Sequence, residues 1–271
     1  MKKYLRFYLK AILIVLHFVI LFILVWGLSL STVKNIMTSV IINEFRNKGV
    51  LQEDISTSKV EYYKIESDNP LEEASFTHYN SKFDGWPEDI PGGKCDILAS
   101  TEATLLGPIT SSFITYTVGG HAALSTSSYI DDKFMLSNDE IIEATGMNDG
   151  DNPTVVSNKL YWINDRTYKS MMVLRTNITE EQKDEVLSYC SSFIGDQYNF
   201  SFLFNTKNQV YCSDIISRSF LKVGINLNKD GFQTTVYDLI VSSDSYLSYY
   251  HIFENGVKKI YYLGSYNGTF E

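Results

Sequence analysis

Val210-Tyr211-Cys212-Ser213-Asp214-Ile215-Ile216-Ser217-Arg218-Ser219-Phe220-Leu221-Lys222-Val223-Gly224 is the stretch whose reading decides the fold. Two β-formers lead into a cysteine, and then the period of the apolar residues changes. Ile216, Phe220 and Val223 recur at helical spacing, and Gly224 is suited to end the helix. Cys212 falls on the same face as Ile216, Phe220 and Val223, so its sulfur points toward whatever the helix packs on. The unpaired N–H groups and partial positive charge of a helix N-terminus lower a thiol pKa and favour the thiolate. A free cysteine is also a common small core hydrophobe. The rest of the chain decides between a reactive and an inert Cys212.

The chain has 271 residues, 44% hydrophobic and 20% charged, with a net charge of −9. These values fit one sizeable globular domain with an appendage. Four of the 23 basic residues, Lys2, Lys3, Arg6 and Lys10, lie in the first ten positions; the other 19 face 32 acidic residues, a balance of −13. Such an acidic domain is not a nucleic-acid binder, because phosphate contacts need a basic surface. Cys95, Cys190 and Cys212 are odd in number and widely spaced, with no CxxC pair. Neither a disulfide framework nor a metal site is indicated. No Gly-rich phosphate loop is present, so no cofactor is expected.

Residues 1–10 form a basic tip, and 11–30 are apolar except for His17, Gly27 and Ser29. Twenty residues at helical rise span about 30 Å, the thickness of a bilayer core. Trp26 sits at the level of an aromatic belt, and the basic tip places the rest of the chain outside the cytoplasm. The expectation is a single-pass anchor; cleavage near Ser29 or Ser31 as a signal peptide is the alternative. Residues 31–90 read as a stalk helix, which continues away from the membrane or packs on the domain, and a linker. Ser31 or Thr32 caps a helix to about Asn47, Gly49 ends it, and Val60–Ile65 is a short strand. From Glu66 to Pro91 the composition is that of an irregular connection.

The domain proper is expected over 91–271. Asp96–Ser100 reads as a first strand. Thr117-Val118-Gly119-Gly120-His121-Ala122-Ala123-Leu124-Ser125 follows, with two glycines that allow close backbone approach just before a histidine. Glu140–Gly146 reads as the next strand. A turn at Asp131-Asp132-Lys133 would set His121 directly opposite Glu143, on one face; Ser137-Asn138-Asp139 is an equally good turn that changes the register. A carboxylate beside an imidazole fixes the tautomer and stabilises imidazolium. Taken singly, His121 reads more readily as a core histidine and Glu143 as a strand-end charge; together, with Gly-Gly before the histidine and an apolar frame around Glu143, a functional pair reads equally well. Val155–Trp162 and Lys169–Arg175 read as strands around a turn at Asn164-Asp165-Arg166. Thr179-Glu180-Glu181-Gln182 is a capping box for a helix that buries Val186, Cys190 and Phe193 and stops at Gly195. Thr234–Leu239 and Tyr246–Phe253 alternate loosely, and Tyr261-Tyr262 suggests a last edge strand.

The order Asp-Ile-Leu strand, Gly-Gly-His strand, Ile-Ile-Glu-Ala strand, helix, Gly-x-x-Tyr-Asn-Phe and Tyr-Cys-Ser at a helix start resembles the circularly permuted branch of the NlpC-type papain-like cysteine hydrolases, the YiiX-like family. The resemblance spans about residues 92–254. It implies an α+β domain with a permuted papain-like fold, in which an antiparallel, partly closed sheet packs against helices and an N-terminal transmembrane helix precedes the whole. It implies Cys212 as nucleophile, His121 as base and Glu143 as the acid that orients the histidine. Tyr198, Tyr211 and Ser213 fall in the substrate or oxyanion neighbourhood. Two positions depart from the family pattern: Cys95 stands where the first strand usually opens with glycine, and Asp214 replaces a longer acid after Cys-Ser.

The activity implied is hydrolysis of an amide bond through an acyl-enzyme, with the peptides of peptidoglycan as the favoured substrate outside a membrane. Three alternatives remain at this stage. Cys212 pairs with His251 in the unpermuted order. The domain is an acyltransferase or thioesterase acting on acyl lipids or esters. Or it is an anchored binding module that keeps the fold without catalysis.

Overall fold

The computed structural model describes residues 2–67, 76–80, 87–91, 93–102, 119–126, 129–130, 133–134, 141–145, 154–158, 168–202 and 207–264. A single helix, α1 (Lys2–Asn47), opens the chain. The strands that follow are β1 (Val50–Leu51), β2 (Val60–Ile65), β3 (Phe76–Asn80), β4 (Pro87–Pro91), β5 (Ile97–Ser100), β6 (His121–Ser125), β7 (Tyr129–Ile130), β8 (Lys133–Phe134), β9 (Ile141–Thr145), β10 (Thr154–Asn158) and β11 (Ser170–Thr176). Then come α2 (Glu180–Ser191), β12 (Gln197–Tyr198), β13 (Gln209–Val210), α3 (Cys212–Lys222), α4 (Val236–Val241), β14 (Ser245–Glu254) and β15 (Val257–Leu263).

Eleven strands form one open sheet in the order β1-β2-β15-β14-β11-β5-β6-β9-β10-β12-β13. It is mixed: β2 runs parallel to β15, β12 runs parallel to β13, and the other pairs are antiparallel. The expected antiparallel, partly closed sheet is therefore corrected to a mixed, open one. Strand β15 is not an edge either, since it lies between β14 and β2.

Both faces of the central strands are buried, which is why they read as near-continuous apolar runs. Ile97, Ala99, Ala122, Leu124, Ile142, Ala144, Met172 and Leu174 turn to one side. There they meet Val186 of α2, Ile215, Ile216 and Phe220 of α3, and Leu239 of α4. Leu98, Ala123, Ile141, Met171, Val173, Tyr249 and Ile260 alternate to the other side, with Tyr62 of β2. Burying a Leu or Phe side chain is worth roughly 1.5–3 kcal/mol, so both faces contribute substantially to stability, and the first holds the helices on the sheet.

Helix α2 starts where the capping box places it. The Thr179 hydroxyl accepts from the Gln182 N–H, and the Gln182 side chain accepts from the Thr179 N–H. A second box was not read from the sequence. Thr235 caps α4, with Asp238 returning the bond, so residues 236–241 are helix where alternation suggested strand.

In the N-terminal third the helix packs on the domain rather than standing away from it. Helix α1 runs without a break past Ser31 and Thr32. A hydroxyl in mid-helix can bond the carbonyl four residues back instead of capping; Ser29 and Thr32 donate to Val25 and Leu28 in this way. Past the apolar run, Ser31, Lys34, Thr38 and Phe45 are buried against the domain. Strand β2 joins the main sheet through β15, and β3 pairs with β4 inside the stretch read as irregular. Strands β10 and β11 are not neighbours: β10 pairs with β9, and β11 with β5 and β14. The turn expected at Asn164-Asp165-Arg166 lies outside the described residues, as does that at Ser137-Asn138-Asp139.

Candidate active site

The site forms where the N-terminus of α3 meets the start of β6. Tyr211 is the helix N-cap with extended backbone, and Cys212 is the first helical residue, about 1% exposed. Its sulfur lies 4.0 Å from the Gly120 carbonyl oxygen and accepts from the N–H groups of Ser213 and Ala122. Only glycine fits the approach to His121. Gly119 and Gly120 have φ of +84° and +109°, a region closed to most side chains. A Cβ on Gly120 would sit 2.0 Å from the Ser100 carbonyl oxygen, and one on Gly119 would sit 2.9 Å from the Tyr237 ring.

The imidazole Nε2 of His121 is 2.7 Å from Oε2 of Glu143, and Glu143 is fully buried. The register differs from the expected one. Ala123, not His121, stands opposite Glu143, followed by Leu124 opposite Ile142 and Ser125 opposite Ile141. The slip is two residues, which preserves the face. His121 and Glu143 are therefore diagonal neighbours, within reach of long side chains. The Tyr168 ring stacks on the imidazole with centroids 6.3 Å apart.

The remaining ring nitrogen serves Cys212, which hydrogen-bonds His121. Burial pushes the thiol pKa up, but the bond to His121, its charge and the two backbone N–H groups outweigh burial and bring it below the ordinary value. Burial likewise opposes the imidazolium, yet Cys212 and Glu143 together raise the His121 pKa to about 10. The two shifts act together in favour of the thiolate–imidazolium form of the pair. The other cysteines are unlike it: burial raises Cys95 and Cys190 to about 12.

The hydroxyl of Tyr198 also donates to the Cys212 sulfur, and burial and the sulfur's charge keep that phenol well above its ordinary pKa. The side chains of Tyr211 and Ser213 both turn to Thr234. The Tyr211 hydroxyl accepts from the Thr234 N–H at 2.9 Å, and the Ser213 hydroxyl donates to the Thr234 carbonyl at 3.0 Å. Their side chains brace the nucleophile from behind, and only the Ser213 N–H meets the sulfur. Asp214 turns away into a two-point pair with Arg218, 2.9 and 2.6 Å.

His251 is not brought to Cys212. It is buried in β14, 3.3 Å from the Tyr249 hydroxyl, and burial with the nearby Lys258 charge holds it well below its usual pKa. The unpermuted pairing is thus corrected. Tyr168 and the Thr234–Thr235 support were missed at the sequence level, although Thr235-x-x-Asp238 is a legible capping signal. Among the described residues, no group of His, Cys, Asp and Glu could hold a metal ion.

Residues 103–253, more than half of the chain, match the family described as permuted papain-like amidase enzyme, YaeF/YiiX, C92. No curated protein matches the chain.

Proposed function

The chain belongs to the permuted papain-like amidase family, and from that premise we propose that it is a cysteine hydrolase with Cys212 as nucleophile, His121 as acid–base and Glu143 as the residue that holds the imidazolium. The observation that carries this reading is the buried row in which the Cys212 sulfur hydrogen-bonds His121 and Nε2 of that ring lies 2.7 Å from Glu143, with the opposed pKa shifts in support. The thiolate attacks the carbonyl carbon, and a C–S bond forms as the carbonyl π pair moves to oxygen. Donors near the sulfur, the Cys212 N–H and the Tyr198 hydroxyl, are suited to hold that oxyanion. Its collapse expels the amine, which takes the proton from His121 and leaves a thioester. Water, deprotonated by His121, then releases the acid and restores the thiolate.

Helix α1 carries a stretch long and apolar enough to cross a membrane, none of it buried by the rest of the chain. We read it as a retained anchor, with the domain outside the cytoplasm by the placement of the basic tip. Continuity of α1 and burial of its residues past 30 support retention. The substrate in this reading is a peptide-like amide, with peptides of the cell wall as the first class to test. Acyl transfer from an ester or thioester uses the same attack and is the second class, favoured by the anchor. Purified Cys212→Ala should retain the wild-type circular dichroism spectrum and lose all turnover on whichever class the wild type cleaves. Full turnover in that variant would overturn the mechanism.

A further inference from the structure

Lys34 lies on the face of α1 that packs on the domain, and it is buried. Its ammonium sits 2.5 Å from both Asp230 and Asp238. An apolar run and a basic tip suffice to anchor a chain, so anchoring does not call for this residue. A buried ion pair is also a weak source of net stability, because desolvation offsets the attraction; its best-attested use is to fix one arrangement of the parts it joins.

Both carboxylates tie down the same stretch of chain, residues 228–238 between α3 and α4. The second oxygen of Asp230 accepts from the Phe232 N–H at 2.8 Å. The second oxygen of Asp238 accepts from the N–H and the hydroxyl of Thr235 at 2.7 and 2.6 Å. Between them, the Asn228 amide donates to the Phe232 carbonyl and to the Thr234 hydroxyl. A Cβ on Gly27 of α1 would meet the Phe232 ring at 3.0 Å. The stretch is thus folded around Lys34 and pressed onto α1.

From this stretch one route runs to each backbone donor on the Cys212 sulfur. Thr234 bonds the side chains of Tyr211 and Ser213, which flank Cys212, and the Ser213 N–H is the first donor. Tyr237 packs on Gly119, where a Cβ would meet its ring at 2.9 Å. That contact sets the path of Gly119 and Gly120 into His121 and Ala122, and the Ala122 N–H is the second donor. Without the ammonium, Asp230 and Asp238 would face each other as like charges about 5 Å apart and repel.

We propose that Lys34 is a positioning residue for the hydrolysis: from the anchor helix it holds the 228–238 stretch in the arrangement that presents His121 and the two backbone donors to the Cys212 sulfur. This rests on Cys212 being the nucleophile. The anchor helix is then a working part of the active site, and its grip on the domain sets the reactivity of the thiol.

The test uses the full chain in detergent micelles. Alkylation of Cys212 by iodoacetamide is followed by mass spectrometry from pH 4 to 10 in wild type, Lys34→Met, Lys34→Arg and Phe45→Ala, with melting temperatures measured alongside. The groups that face the sulfur, His121 and Tyr198, are intact in all four. Phe45→Ala is the control for a purely structural role: Phe45 is buried in the core, roughly 16 Å further along α1. Lys34→Met should move the lower limb of the profile up by about one pH unit, the effect of weakening one hydrogen bond to a charged group. On that limb alkylation should be about tenfold slower. Lys34→Arg keeps the charge and should bring the limb back toward wild type, and Phe45→Ala should lower the melting temperature with the limb in place. An unmoved limb in Lys34→Met, or an equal shift in Phe45→Ala, would overturn the role of Lys34 and leave the Cys212–His121 pair standing. If Lys34→Met does not fold, Asp230→Asn, which keeps Lys34 on Asp238, should move the limb the same way by less, and an unmoved limb there would overturn the proposal. A wild-type limb at the free-cysteine value of about 8.5 would overturn the nucleophile itself, and this role with it.

Discussion

Replacing Glu143 with Gln removes one charge from a buried site while keeping the shape of the side chain. In the wild type the carboxylate accepts from His121 at 2.7 Å, shielded from water. A hydrogen bond to a charged group contributes about 1.5–3 kcal/mol. The imidazolium loses that support in the variant, its pKa falls from about 10, and the proton returns to the sulfur. Since one pKa unit corresponds to about 1.4 kcal/mol, the thiolate should appear about one to two pH units higher than in wild type. The assay is the rate of Cys212 alkylation by iodoacetamide from pH 4 to 10. Wild type should reach its plateau below the free-cysteine value of about 8.5, with the lower limb moved up in Glu143→Gln. At pH 7 the alkylation rate should then fall roughly ten- to hundredfold wherever that pH lies on the moved limb, by the same conversion. The helical circular dichroism signal should be unchanged. An identical pH profile in the two proteins would refute the role given to Glu143 and the account of the raised histidine.

Four further outcomes follow from the same structure. Gly120→Ala places a Cβ 2.0 Å from the Ser100 carbonyl oxygen at φ +109°; the combined strain and overpacking should cost at least about 3 kcal/mol in urea unfolding, and a loss under 1 kcal/mol would contradict that geometry. Arg175→Met leaves buried Asp96 without the partner that holds it at 2.8 and 2.6 Å, a loss of about 3–5 kcal/mol by denaturant midpoint. Thr235→Ala removes the α4 cap and should cost about 1 kcal/mol, with slower alkylation of Cys212 because Thr234 loosens with it. His251 is buried neutral, with its folded pKa below the unfolded value. Its stabilising contribution is therefore present above pH 6.5 and is lost as pH falls toward the folded pKa, at up to about 1.4 kcal/mol per pH unit; His251→Phe should flatten the stability profile between pH 6.5 and 5, and an unaltered slope would count against a neutral buried ring.

How far the sequence carried depends on the length over which each signal acts. The α2 capping box, β2 and the start of α3 were legible because each is written in adjacent residues. The His121–Glu143 neighbourhood was legible although its register was not. An even slip leaves every side chain on its expected face, so the pairing survived the shift in register. What failed was non-local or sat between two periodicities. The parallel pairing of β2 with β15 joins segments almost 200 residues apart, and nothing in either strand announces the other. Residues 236–241 were misread because apolar alternation was weighed above the Thr235–Asp238 cap. Ser31 and Thr32 looked like a helix start because hydroxyl side chains serve equally as caps and as acceptor-seeking groups inside a helix. The bonds of the Tyr211 and Ser213 side chains to Thr234 were not legible, because Thr234 lies about twenty residues further along the chain.

The most direct test of the central claim compares all three cysteines in one experiment. The native chain is treated briefly with iodoacetamide at pH 6.5, and alkylation is quantified at Cys95, Cys190 and Cys212 in wild type and His121→Ala. The account predicts modification at Cys212 alone, because its pKa is lowered while burial raises the other two to about 12. It also predicts that the reaction is largely lost when His121 is removed. An unreactive Cys212 in wild type, or equal reactivity with and without His121, would contradict the thiolate–imidazolium pair on which the proposed hydrolysis depends.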